Sequence, residues 1–355
     1  MAERPSRALV LYGDGLARFV NPSNTHFHSL ASKASCGFLS LPNAPPSGYF
    51  SLLILFLIVA SNSSLWVQSS FLFYHAQRDE IIFLIAESED ERIVREFAVL
   101  VDAFEAHTNT SGSTTKEDSG EETNISKRFM GMKAALVTNN ASLKSFGTKL
   151  GFSVLPNDGF SKSSEPQGEL SVDYMASELL KLLGFQEGKT LESSQYDLVF
   201  VHVGAGEVNV KNDKAIADDV EYPNALFGAI MNIAKPGTEI SLRLHLSAVM
   251  SYGGTSEEDD VNFSFSVSKD SNNSKLSKLV PHQSYTMKGE LPRKDVRHHS
   301  PMLLAQWQHA VTRKDMVETF AFKDIKEHGG NLVIPADRFL HEVAFKLWKA
   351  PKYGA

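Results

Sequence analysis

The chain has 355 residues, of which 42% are apolar and 22% charged, with a formal net charge of -7 and a pI near 6.0. That apolar content is enough to core one large domain or two ordinary ones and excludes global disorder. The acidic balance, with no sustained basic stripe, excludes nucleic acid as the main partner. Cys36 is the single cysteine, which rules out an internal disulfide and a cysteine-rich zinc site and makes a reducing compartment the easier assumption. Residues 1–7 lack the charged start, apolar centre and small-residue cleavage site of a secretory signal, so a cytoplasmic location is expected.

Ala8 to Tyr12 is a short apolar run that breaks at Gly13-Asp14-Gly15, the pattern of a buried strand delivering a carboxylate to a sheet edge. Such a carboxylate, flanked by glycines that allow close approach, is well placed to hold a hard cation. Asn24 or Thr25 can cap a short helix that Gly37 ends. From Ala34 to His75 there is no Asp, Glu, Lys or Arg, and Tyr49–Ala60 is the most apolar stretch of the protein. It reads as a membrane span, a buried helix or strand pair, or a segment foreign to the fold. A span would separate Asp14 from the later strands and lacks basic flanks on its amino-terminal side. Residues 44–86 are therefore treated as an apolar insertion.

Residues 87–105 carry apolar side chains at 93, 94, 97, 100, 101 and 104, which predicts an amphipathic helix with acid at its start. His107 to Lys127 has little to bury and is expected to be a disordered loop. Strands follow at 133–139, 152–155 and 196–203, with helices at 141–150, ended by Gly151, and at 172–183. A helix over 217–233 precedes a period-two strand over 239–247, and an exposed excursion over 257–277 surrounds an edge strand at 261–267. Strands alternating with helices of this length predict a layered α/β domain over 1–355, with a mostly parallel sheet and helices on both faces. His26, His28, His245, His309 and His341 have no partner pattern and read as surface or satisfied core residues. Trp307 and Trp348 read as core packing.

Several pieces, in order, resemble the cofactor-independent phosphoglycerate mutases, in particular the archaeal-type branch of the alkaline phosphatase superfamily. They are Gly13-Asp14-Gly15, the Leu30-Ala31 and Gly37 pattern, Lys133-Ala-Ala-Leu-Val137 with Gly147 and Leu150-Gly-Phe152, Asp173-Tyr174, Tyr196-Asp-Leu-Val-Phe-Val-His-Val203, and Lys349-Ala-Pro-Lys-Tyr-Gly-Ala355. The resemblance covers about residues 5–43 and 128–355 and implies an alkaline phosphatase-like fold. It also implies two divalent metals (Mn, Mg or Zn) held by Asp and His, with a serine that carries the phosphoryl group between positions of the substrate.

Carried onto this chain, the resemblance makes Asp14 the first ligand. Glu207 and Lys211 stand where the family places an Asp and a His, and a protonated lysine cannot bind metal. His282, preceded by Pro281 rather than a carboxylate, and His298 or His299 match the later ligands. Ser47, Ser61, Ser63 and Ser64 lack the family's Ser-Asp context, so none is assigned as nucleophile. The cap domain is missing, and with it the arginines that would clamp a substrate. The resemblance implies an isomerase of glycolysis interconverting 2- and 3-phosphoglycerate, with activity reduced or lost and a small phosphorylated metabolite as partner. The alternatives are a catalytically silent binding or scaffold protein that keeps the fold, and a membrane-anchored protein held through Tyr49–Ala60.

Overall fold

With no polar side chain between Ala8 and Tyr12, the first strand has no face to offer to water, and β1 (Arg7–Asp14) is buried along its whole length. The computed structural model describes residues 6–41, 88–111, 123–157, 172–204, 213–253, 287–288, 291–292, 302–331 and 333–351. Around β1 stand β2 (Ser35–Ser40), β3 (Ala134–Val137), β4 (Ser153–Leu155), β7 (Leu198–Gly204), β8 (Leu244–Met250), β11 (Met302–Trp307) and β12 (Val333–Pro335). Their order is β12-β2-β11-β8-β1-β7-β3-β4, in an eight-stranded sheet. Only β11 runs against the others. The short strands β5 (Phe185–Gln186) and β6 (Lys189–Thr190), like β9 (Met287–Lys288) and β10 (Leu291–Pro292), form separate two-stranded ribbons.

The period-two alternation of β1 sends Leu9 and Leu11 to one face and Ala8, Val10 and Tyr12 to the other. On the first face lie α1 (Thr25–Ala31), α6 (Val172–Leu182) and α7 (Asp213–Ile233), through Phe27, Leu30, Met175, Leu179, Phe227 and Ile230. The second is covered by α2 (Glu89–Leu100), α5 (Ala141–Lys149) and α10 (Phe339–Lys346), through Ile93, Phe97, Leu143, Phe146, Phe339 and Leu340. Phe200 of β7 anchors this second layer, meeting Phe97, Phe152 and Phe339 edge to face. The mostly parallel sheet with helices on both faces is therefore as the alternation of elements predicts.

Several local expectations are corrected. Gly37 does not end α1; that helix stops at Ala31 and Gly37 lies inside β2. Asn24 takes the N-cap position of α1, as expected, but neither it nor Thr25 caps the helix through its side chain. Asn224, reaching over from α7, accepts from the His26 and Phe27 amides at 3.1 Å each, while Asn24 Oδ1 accepts from Asn21 N at 2.8 Å and its Nδ2 donates to Glu221. The strand expected over 239–247 begins with one helical turn, α8 (Glu239–Arg243), because Thr238 Oγ1 accepts from Ser241 N and nucleates it.

The predicted helix over 87–105 is split into α2 and α3 (Phe104–Ser111) at Asp102, which has a left-handed φ of 51°. The loop expected over 107–127 is helical at both ends, in α3 and in α4 (Ile125–Arg128), and residues 112–122 lie outside the described residues. Trp307 is buried as expected, but Trp348, just past α10 and with a φ of 59°, is 55% exposed. Tyr49–Ala60 and the edge strand at 261–267 lie outside the described residues. Among those described, no helix is long and apolar enough to cross a membrane.

Candidate functional site

Parallel strands place their carboxyl ends on one edge, and ligands of open α/β sheets bind there where successive crossovers leave on opposite faces. β7 continues into α7 on the first face, whereas its neighbour β3 continues into α5 on the second. The crevice that opens at this point has a volume of about 420 Å³ and is lined by Ser88, Glu89, Asp90, Ile93, Asn140, His202 and Gly204.

Asp14, the last residue of β1, is 1% exposed and pairs in register with Gly204 of the adjacent β7. Its carboxylate is gripped by the Arg92 guanidinium from α2, Nη1 to Oδ1 at 2.7 Å and Nη2 to Oδ2 at 3.0 Å. Ser251, just after β8, donates to Oδ1 at 3.3 Å and accepts from Gly15 N at 3.0 Å. Arg92 also binds Glu96, one turn on, at 3.1 Å, and Glu89 at the start of the helix. Tyr12 donates its hydroxyl to Glu96 at 3.1 Å. One guanidinium therefore faces three carboxylates, and Asp14 and Glu96 are both buried.

Burial raises the Asp14 carboxyl to about 6, against the pull of Arg92 and with help from Glu96 and Glu89. It is still ionised at neutral pH. Burial works against the charge on Arg92, but Glu96 and Asp14 outweigh it and hold the guanidinium protonated. The Tyr12 phenol is pushed well above its ordinary value by burial and by the Glu96 and Asp14 charges, so it remains a donor.

His202, opposite Tyr12 in β7, is 1% exposed and packs on the Tyr12 ring at 5.5 Å between centroids. Burial and the Arg92 charge push its imidazole down to about 3, so it is neutral. Its Nδ1 is 2.9 Å from Thr138 Oγ1, which accepts in turn from Asn140 N. Nε2 has no hydrogen-bond partner among the described residues. Gly204 leaves room beside it: a Cβ there would sit 3.6 Å from His202 Nε2 and 3.7 Å from Asp14 Oδ2. A polar ligand atom over Gly204 would thus reach a neutral imidazole and an ionised carboxylate together. The lining carboxylates are engaged, Glu89 with Arg92 and Asp90 with Asn140 and Ser142.

Of the residues the resemblance singles out, only Asp14 is among those described; Glu207, His282, His298 and His299 lie outside them. A divalent metal of the implied kind needs several carboxylate or imidazole donors around one point. Among the described residues no three such side chains are grouped to hold one, and both oxygens of Asp14 already accept from Arg92. The described residues do not fit a metal at Asp14.

Arg92, Glu96, Ser251 and His202 form most of this site and were not singled out from the sequence. His202 carried the one available signal, a polar residue inside an apolar strand. Arg92 and Glu96, spaced i, i+4 on an amphipathic helix, look like an ordinary solvated pair until β1 is seen beneath them.

No family model matches the chain, and no curated protein matches it. Solved structures similar to it include the PH0037 protein from Pyrococcus horikoshii, at 14% identity over 99% of each chain with a TM-score of 0.48. A cofactor-independent phosphoglycerate mutase from Thermoplasma acidophilum DSM 1728 is 12% identical over 63% of this chain, with a TM-score of 0.34. This chain spans 39% of that mutase. A protein in the alkaline phosphatase superfamily from Vibrio parahaemolyticus is 10% identical over 88% of this chain and 62% of its own, with a TM-score of 0.39. At TM-scores below 0.5 these likenesses decide nothing about activity, which rests on the residues themselves.

Proposed function

We propose that this chain is a phosphoglycerate mutase-like protein of the alkaline phosphatase type that binds a small phosphorylated metabolite over Gly204, with its turnover reduced or lost. The observation that carries this reading is the convergence of His202 Nε2 and Asp14 Oδ2 on the space above Gly204, a pair that suits a hydroxyl of such a metabolite, since the ionised carboxylate accepts from a hydroxyl and repels a phosphate. A buried imidazole nitrogen with no hydrogen-bond partner among the described residues, beside a carboxyl whose pKa is raised toward neutrality, is costly for a fold to maintain and marks a binding edge. The neutral imidazole supplies a hydrogen bond there, and the packed Tyr12 ring and Thr138 fix its plane. Diminished turnover follows from what stands around Asp14: a guanidinium on both oxygens and no serine in the family's Ser-Asp context.

Titration with 2- and 3-phosphoglycerate, with and without Mg²⁺ or Mn²⁺, tests the reading. Saturable binding is expected in the wild type. Gly204→Leu, whose side chain would fill the space beside His202, is expected to weaken it by about tenfold or more, a loss of about 1.4 kcal/mol. Interconversion of the two esters is expected to stay near background. Absence of saturable binding, or binding that Gly204→Leu leaves untouched, would remove this reading.

A further inference from the structure

We infer that Arg92 is the resident counter-cation of Asp14, a covalently tethered guanidinium standing on this carboxylate where the resemblance would place a divalent metal. Both oxygens of Asp14 are taken by the fork, at 2.7 and 3.0 Å, in the bidentate arrangement that makes arginine and carboxylate a matched pair. The cation is enclosed. Arg92 is 4% exposed, Glu96 and Glu89 occupy its other edges, and a Cβ on Gly253 would lie 3.8 Å from the guanidinium.

The helix that carries it is fixed at its start. Ser88 and Glu91 form a reciprocal capping box, and Asp90 is clasped by Asn140 and Ser142 at the head of α5. A metal ion reaching Asp14 would have to displace a fork-to-fork pair whose cation cannot diffuse away. The charge of a buried strand-end aspartate is in this way met by a residue of the chain itself. The inference concerns Asp14 alone and stands whether or not the crevice takes a phosphorylated ligand.

Thermal unfolding of the full chain with MnCl₂ or low concentrations of guanidinium chloride, against NaCl of equal ionic strength, tests it. Wild type and Asp14→Asn are expected to respond alike to Mn²⁺. Arg92→Ala, which empties the cation position, is expected to gain about 3 °C or more in Tm from Mn²⁺ or guanidinium, and Arg92→Ala/Asp14→Asn to lose that gain. A Mn²⁺ response in wild type that Asp14→Asn abolishes overturns the inference, as does a folded Arg92→Ala that answers to neither ion. Should Arg92→Ala not fold, the comparison of wild type with Asp14→Asn decides by itself: equal responses uphold the inference and a response confined to wild type overturns it.

Discussion

Replacing Arg92 by methionine will lower the unfolding free energy by about 3–5 kcal/mol at about pH 8, the range expected when one partner of a buried ion pair is removed. The loss arises from what is left behind. Among the described residues Asp14 would keep only the Ser251 hydroxyl and Glu96 only the Tyr12 hydroxyl, and both carboxylates would remain buried. The pH dependence has a definite sign. With Arg92 present the folded-state pKa of Asp14 is about 6, above its ordinary 3.8, so the folded state binds the proton more tightly than the unfolded chain. Removing the guanidinium raises that value further, so the deficit of the variant against wild type shrinks as pH falls from about 8 toward 5.

Asp14→Asn is expected to behave differently. The ionised Asp14 is disfavoured in its site, and Arg92 would keep Glu96 and Glu89, so this substitution will cost less than about 1 kcal/mol at neutral pH. In the double variant, Asp14→Asn will recover part of the Arg92→Met loss, because the neutral amide needs no counter-ion. Urea unfolding of the four proteins at pH 8 and 5 measures this. A loss below about 1 kcal/mol for Arg92→Met, or strict additivity, would show that the pair contributes little.

Acidification from pH 7 to 5 will destabilise the protein through the two fully buried histidines among the described residues, His202 and His245. Burial and the Arg92 charge push His202 down to about 3, and burial with the Lys346 charge pushes His245 well below its ordinary value. The unfolded chain takes up protons on these imidazoles below about pH 6.5 while the folded chain does not, so stability is complete above that pH and falls below it. His202 contributes a loss on the order of 2 kcal/mol at about pH 5, His245 adds a loss of the same sign, and Asp14, whose shift has the opposite sign, returns about 1 kcal/mol. Replacing either histidine by glutamine should flatten the slope of stability against pH by up to about 1.4 kcal/mol per unit within this window. Parallel curves for wild type and both variants, from chemical denaturation at pH 7, 6 and 5, would contradict it.

The frame of this molecule is written in local pattern. Leu9 and Leu11 against Ala8, Val10 and Tyr12 show a strand buried on both faces, and the alternation of such strands with amphipathic helices requires a mostly parallel sheet. What stayed hidden depends on contacts remote in sequence. No local signal says that Asn224 will cap a helix nearly two hundred residues earlier, so Asn24 looked like the cap. At the site, Gly13-Asp14-Gly15 announced a strand-end carboxylate, but the cation it meets lies on a helix 78 residues away. A glycine-flanked aspartate invites a metal when read alone, and only the packing of α2 over β1 shows the guanidinium. His202 was visible as an oddity in an apolar strand, but its relation to Asp14 depended on the register of β7 against β1.

The most direct test is diffraction from crystals of the full chain soaked in Mn²⁺, with anomalous differences measured near the manganese edge. Arg92 is expected to remain on both oxygens of Asp14, with no anomalous peak within coordination distance of that carboxylate. A manganese peak ligated by Asp14, with the Arg92 guanidinium swung away, would contradict the account.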